Sequence, residues 1–151
     1  MFNRLFLVLK RRRETATAVC TVVALAACGC GNGRTPVYPV HGEVHVDGQL
    51  PVHALVTFHP VAGDGTGVVL PTGQVDDKGR FTLTSYVSGD GAPEGEYRVT
   101  VAWFLSSGRL NDDSPPVNCL PSRYARPDTT PLRAVVRKGG VDLEPFQLQA
   151  R

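Results

Sequence analysis

From residue 37 onward, apolar and polar residues alternate along the chain. In Glu96–Phe104, Tyr97, Val99, Val101 and Trp103 share one side of an extended segment, and Arg98, Thr100 and Ala102 share the other. A period of two is what a half-buried antiparallel strand requires. Val40–Val46 repeats the pattern and ends at Asp47-Gly48, a dipeptide suited to a tight hairpin turn. It is therefore expected to fold back on His53–Pro60, where Ala54, Val56 and Phe58 share a face. Val68–Val75 reads as a strand broken at Pro71, Asp76–Gly79 as a turn, and Arg80–Ser85 as a strand with Phe81 and Leu83 inward. Leu132–Arg137, a Lys138-Gly139-Gly140 turn and a last strand ending Phe146–Gln149 complete the series. No segment has a helical period. The expected fold is all-β, a seven-stranded antiparallel β-sandwich.

One face of each strand supplies the predicted core: Val44, Val56, Phe58, Phe81, Leu83, Tyr97, Val99, Val101, Trp103, Leu132, Val136, Phe146 and Leu148. Between the strands, Ser106–Pro131 is polar and aperiodic, long for a loop inside a small domain. Two readings of it are open. In one it is a strap across the sandwich edge, pinned by Leu120 and Tyr124. In the other it is a binding loop in which Leu120, Arg123, Tyr124 and Arg126 meet a partner, since Tyr and Arg are favoured anchors at binding surfaces.

The N-terminus has a different character. Lys10-Arg11-Arg12-Arg13 precedes an apolar run, Thr15–Ala27, too short to span a bilayer and of the length of a signal h-region. The run ends Leu25-Ala26-Ala27-Cys28. This junction resembles the lipobox of bacterial lipoproteins, which implies cleavage between Ala27 and Cys28 and acylation of Cys28. Small residues before the cut admit a peptidase, and a thiol is the nucleophile to alkylate. Several acyl chains give stable anchoring where one does not. The expected organisation is a leader over 1–27, a glycine-rich tether over 28–36 and a domain over 37–151, exported and held at a membrane of the cell envelope.

Charge then narrows the function. The chain has 16 basic and 14 acidic residues. Removing the leader takes away Arg4, Lys10, Arg11, Arg12, Arg13 and Glu14, which leaves 11 basic against 13 acidic. A slightly acidic domain with no basic stripe is not a nucleic-acid binder. Of the four cysteines, Cys20 leaves with the leader and Cys28 is the anchor; Cys30 and Cys119 remain, either paired in an oxidising compartment or free.

One order of residues runs through the domain: Gly42-Glu43-Val44 to Gly48, Val56-Thr57-Phe58, Asp77-Lys78-Gly79-Arg80-Phe81, and Pro93-Glu94-Gly95-Glu96-Tyr97-Arg98-Val99. It resembles the carboxypeptidase regulatory-like, or transthyretin-like, domain of bacterial surface lipoproteins, over roughly Val37–Gln149. The resemblance implies an Ig-like seven-stranded sandwich and no particular activity. An enzyme branch of the transthyretin-like fold hydrolyses hydroxyisourate and ends in Tyr-Arg-Gly-Ser. This sequence closes on Leu148-Gln149-Ala150-Arg151 and has no Gly-x-Ser-x-Gly elbow, so no enzymatic activity and no cofactor are expected. A weaker alternative is a metal- or ligand-binding envelope protein. If the first two strands paired, His41 and His45 could approach His59, and His is the commonest metal ligand. The acidic turns around Asp64, Asp76 and Asp90 lack the ligand density of a calcium loop. The expected function is contact with an envelope protein or glycan, or a structural role, by a lipid-anchored domain.

Overall fold

The computed structural model describes residues 34–62, 69–105 and 116–150. Residues 1–33, with the expected leader and Ala27, Cys28 and Cys30, lie outside them, as do residues 63–68 and the first ten residues (106–115) of the Ser106–Pro131 segment. The elements in chain order are β1 (Val37–Tyr38), β2 (Val40–Val46), β3 (Leu55–Pro60), β4 (Thr72–Gln74), β5 (Arg80–Thr82), β6 (Ala92–Pro93), β7 (Gly95–Ala102), β8 (Phe104–Leu105), β9 (Val117–Asn118), α1 (Ser122–Ala125), β10 (Arg133–Val136), β11 (Val141–Asp142) and β12 (Phe146–Leu148). Among the described residues the fold is all-β, in several sheets, with a single turn of helix.

Two four-stranded sheets carry the structure. In the first, the order is β10-β7-β3-β4, antiparallel throughout. In the second, β2 is central, with β5 antiparallel on one side and β11 and β12 on the other. The sheets are stitched at one edge, where Thr72 of β4 and Thr84 beyond β5 exchange backbone hydrogen bonds of 3.0 and 2.7 Å. Inward residues of both sheets form one cluster: Val40, Val44 and Val46 from β2, Val56 and Phe58 from β3, Tyr97, Val99 and Val101 from β7. Phe58 lies 5.4 Å from the Tyr97 ring and 6.4 Å from Phe81. The Tyr97 hydroxyl donates to the Pro93 carbonyl at 2.8 Å, and burial, then the neighbouring Tyr86, pushes its pKa up to about 12. Of the predicted core, Trp103, Leu132 and Phe146 pack against this cluster while only partly buried. The indole N–H of Trp103 reaches the Val52 carbonyl at 3.2 Å.

Three expectations are corrected. First, β2 and β3 do not form a hairpin. The Asp47-Gly48 turn is made, with φ of 48° and 78°, and Val46 and Gln49 exchange both backbone bonds. The return ends there because Pro51 has no N–H to extend the ladder, and His53, at φ 66°, turns the chain across to the other sheet. Second, the strands are not all antiparallel, since β11 and β12 pair with β2 in parallel. Third, the Ser106–Pro131 segment is not structureless throughout: β9 pairs with β8, and α1 follows.

The connection between β5 and β7 is held by Asp90. Its carboxylate accepts from the backbone N–H groups of Ser85, Tyr86 and Val87 at 2.7–3.0 Å. Burial pushes this carboxyl's pKa up, but the three N–H groups outweigh burial and leave it below the ordinary value. Gly91 follows at φ 94°, where a Cβ would collide with the Tyr38 carbonyl.

Candidate functional site

The second sheet turns the odd-numbered residues of β2 outward. Register then sets them in rows. His41 stands opposite Thr82 of β5 on one side and Asp142 of β11 on the other. Glu43 stands opposite Arg80. Below these rows the backbone makes room. Val141 pairs with Val40 and Phe146 with Val44, so five steps along the last strand cover four along β2. The extra residue is a bulge, and it falls where Pro145 has no N–H to give to the ladder. On the inner side Gly42 has no side chain, and a Cβ there would meet the Phe81 ring at 2.6 Å. The result is an open cleft of about 690 Å³, whose walls are the His41 and Glu43 rows with Gln74 and Asp76, and whose apolar surface comes from Phe81, Leu143 and Pro145.

Its polar groups are held in place. Nδ1 of His41 lies 3.1 Å from the Thr82 hydroxyl. The Asp76 carboxylate accepts from the backbone N–H groups of Lys78 (2.9 Å) and Arg80 (2.8 Å), and its second oxygen lies 3.4 Å from the Arg80 guanidinium. The Arg80 backbone bond is the main reason the Asp76 carboxyl sits below its ordinary pKa; desolvation opposes it, and the Lys78 N–H and the Arg80 charge add to it. Glu43 lies 3.6 Å from His45, an ion pair only when that imidazole is protonated.

The sequence-predicted histidines do not meet. His41 and His45 lie on the outward face of β2, and His59 on the outward face of β3 in the other sheet. The premise that brought them together was the β2–β3 hairpin, which does not form. His59 is instead half-buried and hydrogen-bonded to the Thr100 hydroxyl at 2.9 Å, and desolvation lowers its pKa. Among the described residues, no three His, Cys, Asp or Glu side chains gather as a metal-ligand set. Cys119 is exposed and free.

The four residues named for a binding loop divide. Leu120 and Tyr124 are each 5% exposed and belong to the core cluster, so these two side chains are pins of a strap and are not offered to a partner. The Tyr124 hydroxyl accepts from the Gln149 N–H at 3.3 Å, which ties α1 to the end of β12. Arg123 and Arg126 are exposed. The Arg123 guanidinium lies over the Tyr124 ring, 4.8 Å from its centre, and Arg126 pairs with Asp128 at 3.2 Å.

Sequence reasoning placed His41, Glu43 and His45 on one face but missed the cleft. Its other walls come from β5 and β11, about 40 and 100 positions further on and joined to β2 by register, and from Gln74 of β4, which belongs to the other sheet. A usable signal was present in the polar positions of Arg80–Thr82 and in Pro145, which marks a break in an edge strand. No protein-family model, curated protein or solved structure matches the chain.

Proposed function

We propose that the chain is an exported lipoprotein, acylated at Cys28, whose domain makes non-enzymatic contact with a protein or glycan of the cell envelope. The observation that carries the contact reading is the cleft on the outward face of β5-β2-β11. It combines hydrogen-bonding groups fixed on strands with apolar surface, the composition of a recognition site. The anchor rests on the Leu25-Ala26-Ala27-Cys28 junction.

The carboxypeptidase regulatory-like, or transthyretin-like, reading of the domain, with its seven-stranded sandwich, rests on the residue order Gly42-Glu43-Val44, Val56-Thr57-Phe58, Asp77–Phe81 and Pro93–Val99. The test uses a photoreactive residue at position 82, introduced into the full chain in intact cells. Adducts to an envelope protein or glycan are expected from this position and not from position 96 on the other sheet. Adducts from position 96 alone would move the contact surface away from the cleft.

A further inference from the structure

We propose that the cleft binds a neutral oligosaccharide, an assignment that rests on the contact reading above and narrows its ligand. Three carboxylates (Glu43, Asp76 and Asp142) and one guanidinium (Arg80) line the cleft. That surplus of negative charge repels phosphates, nucleic acids and polyuronates. Cationic chains are disfavoured for a different reason. Asp76 is already engaged by two backbone N–H groups and Arg80, and Arg80 stands in register with Glu43. A cationic chain entering the cleft therefore meets a guanidinium fixed within the same wall.

A sugar hydroxyl is both donor and acceptor and carries no charge, so it suits a wall of mixed groups. The carboxylates of Glu43 and Asp142 each offer two oxygens to neighbouring hydroxyls, the stronger, charge-assisted kind of hydrogen bond. Gln74 and Thr82 offer groups of both kinds. Leu143 and Pro145 give the C–H face of a sugar ring an apolar surface. The volume of about 690 Å³ falls within the usual range for small-molecule sites. The side chains project from paired strands, so little order has to be imposed on binding.

The experiment is calorimetric titration of the full chain in detergent with cellotetraose, maltotetraose and chitotetraose. Tetragalacturonate and tetralysine serve as charged counterparts. At least one neutral tetrasaccharide should bind saturably, and neither charged probe should compete with it. Asp142→Ala and Thr82→Ala should each weaken binding by roughly tenfold, about the value of one good hydrogen bond to sugar, with the melting temperature unmoved. Glu96→Ala, on the other sheet, should bind as wild type. Amide shifts on titration should centre on residues 41, 82 and 142. The proposal is overturned if no neutral tetrasaccharide binds, if tetralysine binds in its place, or if Asp142→Ala and Thr82→Ala bind normally. Should the sugars fail while position 82 still crosslinks to an envelope protein, the oligosaccharide assignment falls and the contact reading stands. Failure of both experiments removes both.

Discussion

Phe58 holds the two sheets together at one ring: its side chain is fully buried between Tyr97 and Phe81. Phe58→Ala should cost roughly 3–5 kcal/mol, from lost transfer energy and the cavity left behind. Urea unfolding measures this, and an unchanged midpoint would mean the ring is not between the sheets. Trp103, also in the predicted core, is only partly buried. Trp103→Phe should lose little beyond its bond to Val52, about 1 kcal/mol. His59 gives the domain a pH dependence whose sign follows from its burial. Its folded pKa lies below the ordinary value of 6.5, so between those two pKa values the unfolded chain binds the extra proton. The stability tied to neutral His59 is therefore present above pH 6.5 and lost as pH falls through the folded pKa. Urea midpoints at pH 7.5 and 5.5 should differ less in His59→Gln than in wild type. An equal difference in both would assign the effect to other groups.

Among the elements, α1 shows how a short helix can act as a fastener. Four residues cannot hold a helix by their own backbone bonds, and α1 is placed by Tyr124, buried against the core and bonded to Gln149. Tyr124→Ala should lower stability by roughly 3 kcal/mol, whereas Arg126→Ala should stay within about 0.5 kcal/mol, as exposed surface changes do. Thermal melting separates them; a Tyr124→Ala variant as stable as wild type would return the segment to the binding-loop reading. Elements such as β7 were legible because alternation is local. Tyr97, Val99 and Val101 announce their face whatever the strand pairs with. The same held for Val44, Val56 and Phe81. Pairing was not legible, because it depends on which partner wins over long separations. Asp47-Gly48 signalled a hairpin and did form its turn, yet Pro51 and His53 sent the next strand to the other sheet. The helix escaped notice because one turn has too few residues for a period, and the cleft because its walls meet only once β5 and β11 flank β2.

At the scale of the whole molecule, the leader and the domain make separable predictions. Cys28→Ser should leave an unprocessed precursor that takes up no labelled fatty acid, while the domain melts as before; normal processing and labelling would remove the lipoprotein reading. The strand order also sets how the domain resists a pull. The first long strand, β2, and the last, β12, are neighbours and run parallel, and the Ala150 N–H is bonded to Asp47 at the far end of β2. Tension applied through residues 35 and 150 therefore runs along this pair in opposite senses. The hydrogen bonds joining β2 to β11 and β12 must then shear together and cannot open one after another. Across β3 and β4, by contrast, positions 53 and 75 lie side by side, with the His53 N–H bonded to the Val75 carbonyl, and a pull between them peels the ladder bond by bond. Single-molecule stretching should give a clearly higher rupture force through 35 and 150 than through 53 and 75, since forced unfolding follows the unfolding barrier along the direction pulled. Equal forces in the two directions would show that the terminal strands bear no load. By this geometry the domain is strongest along the line between residues 35 and 150.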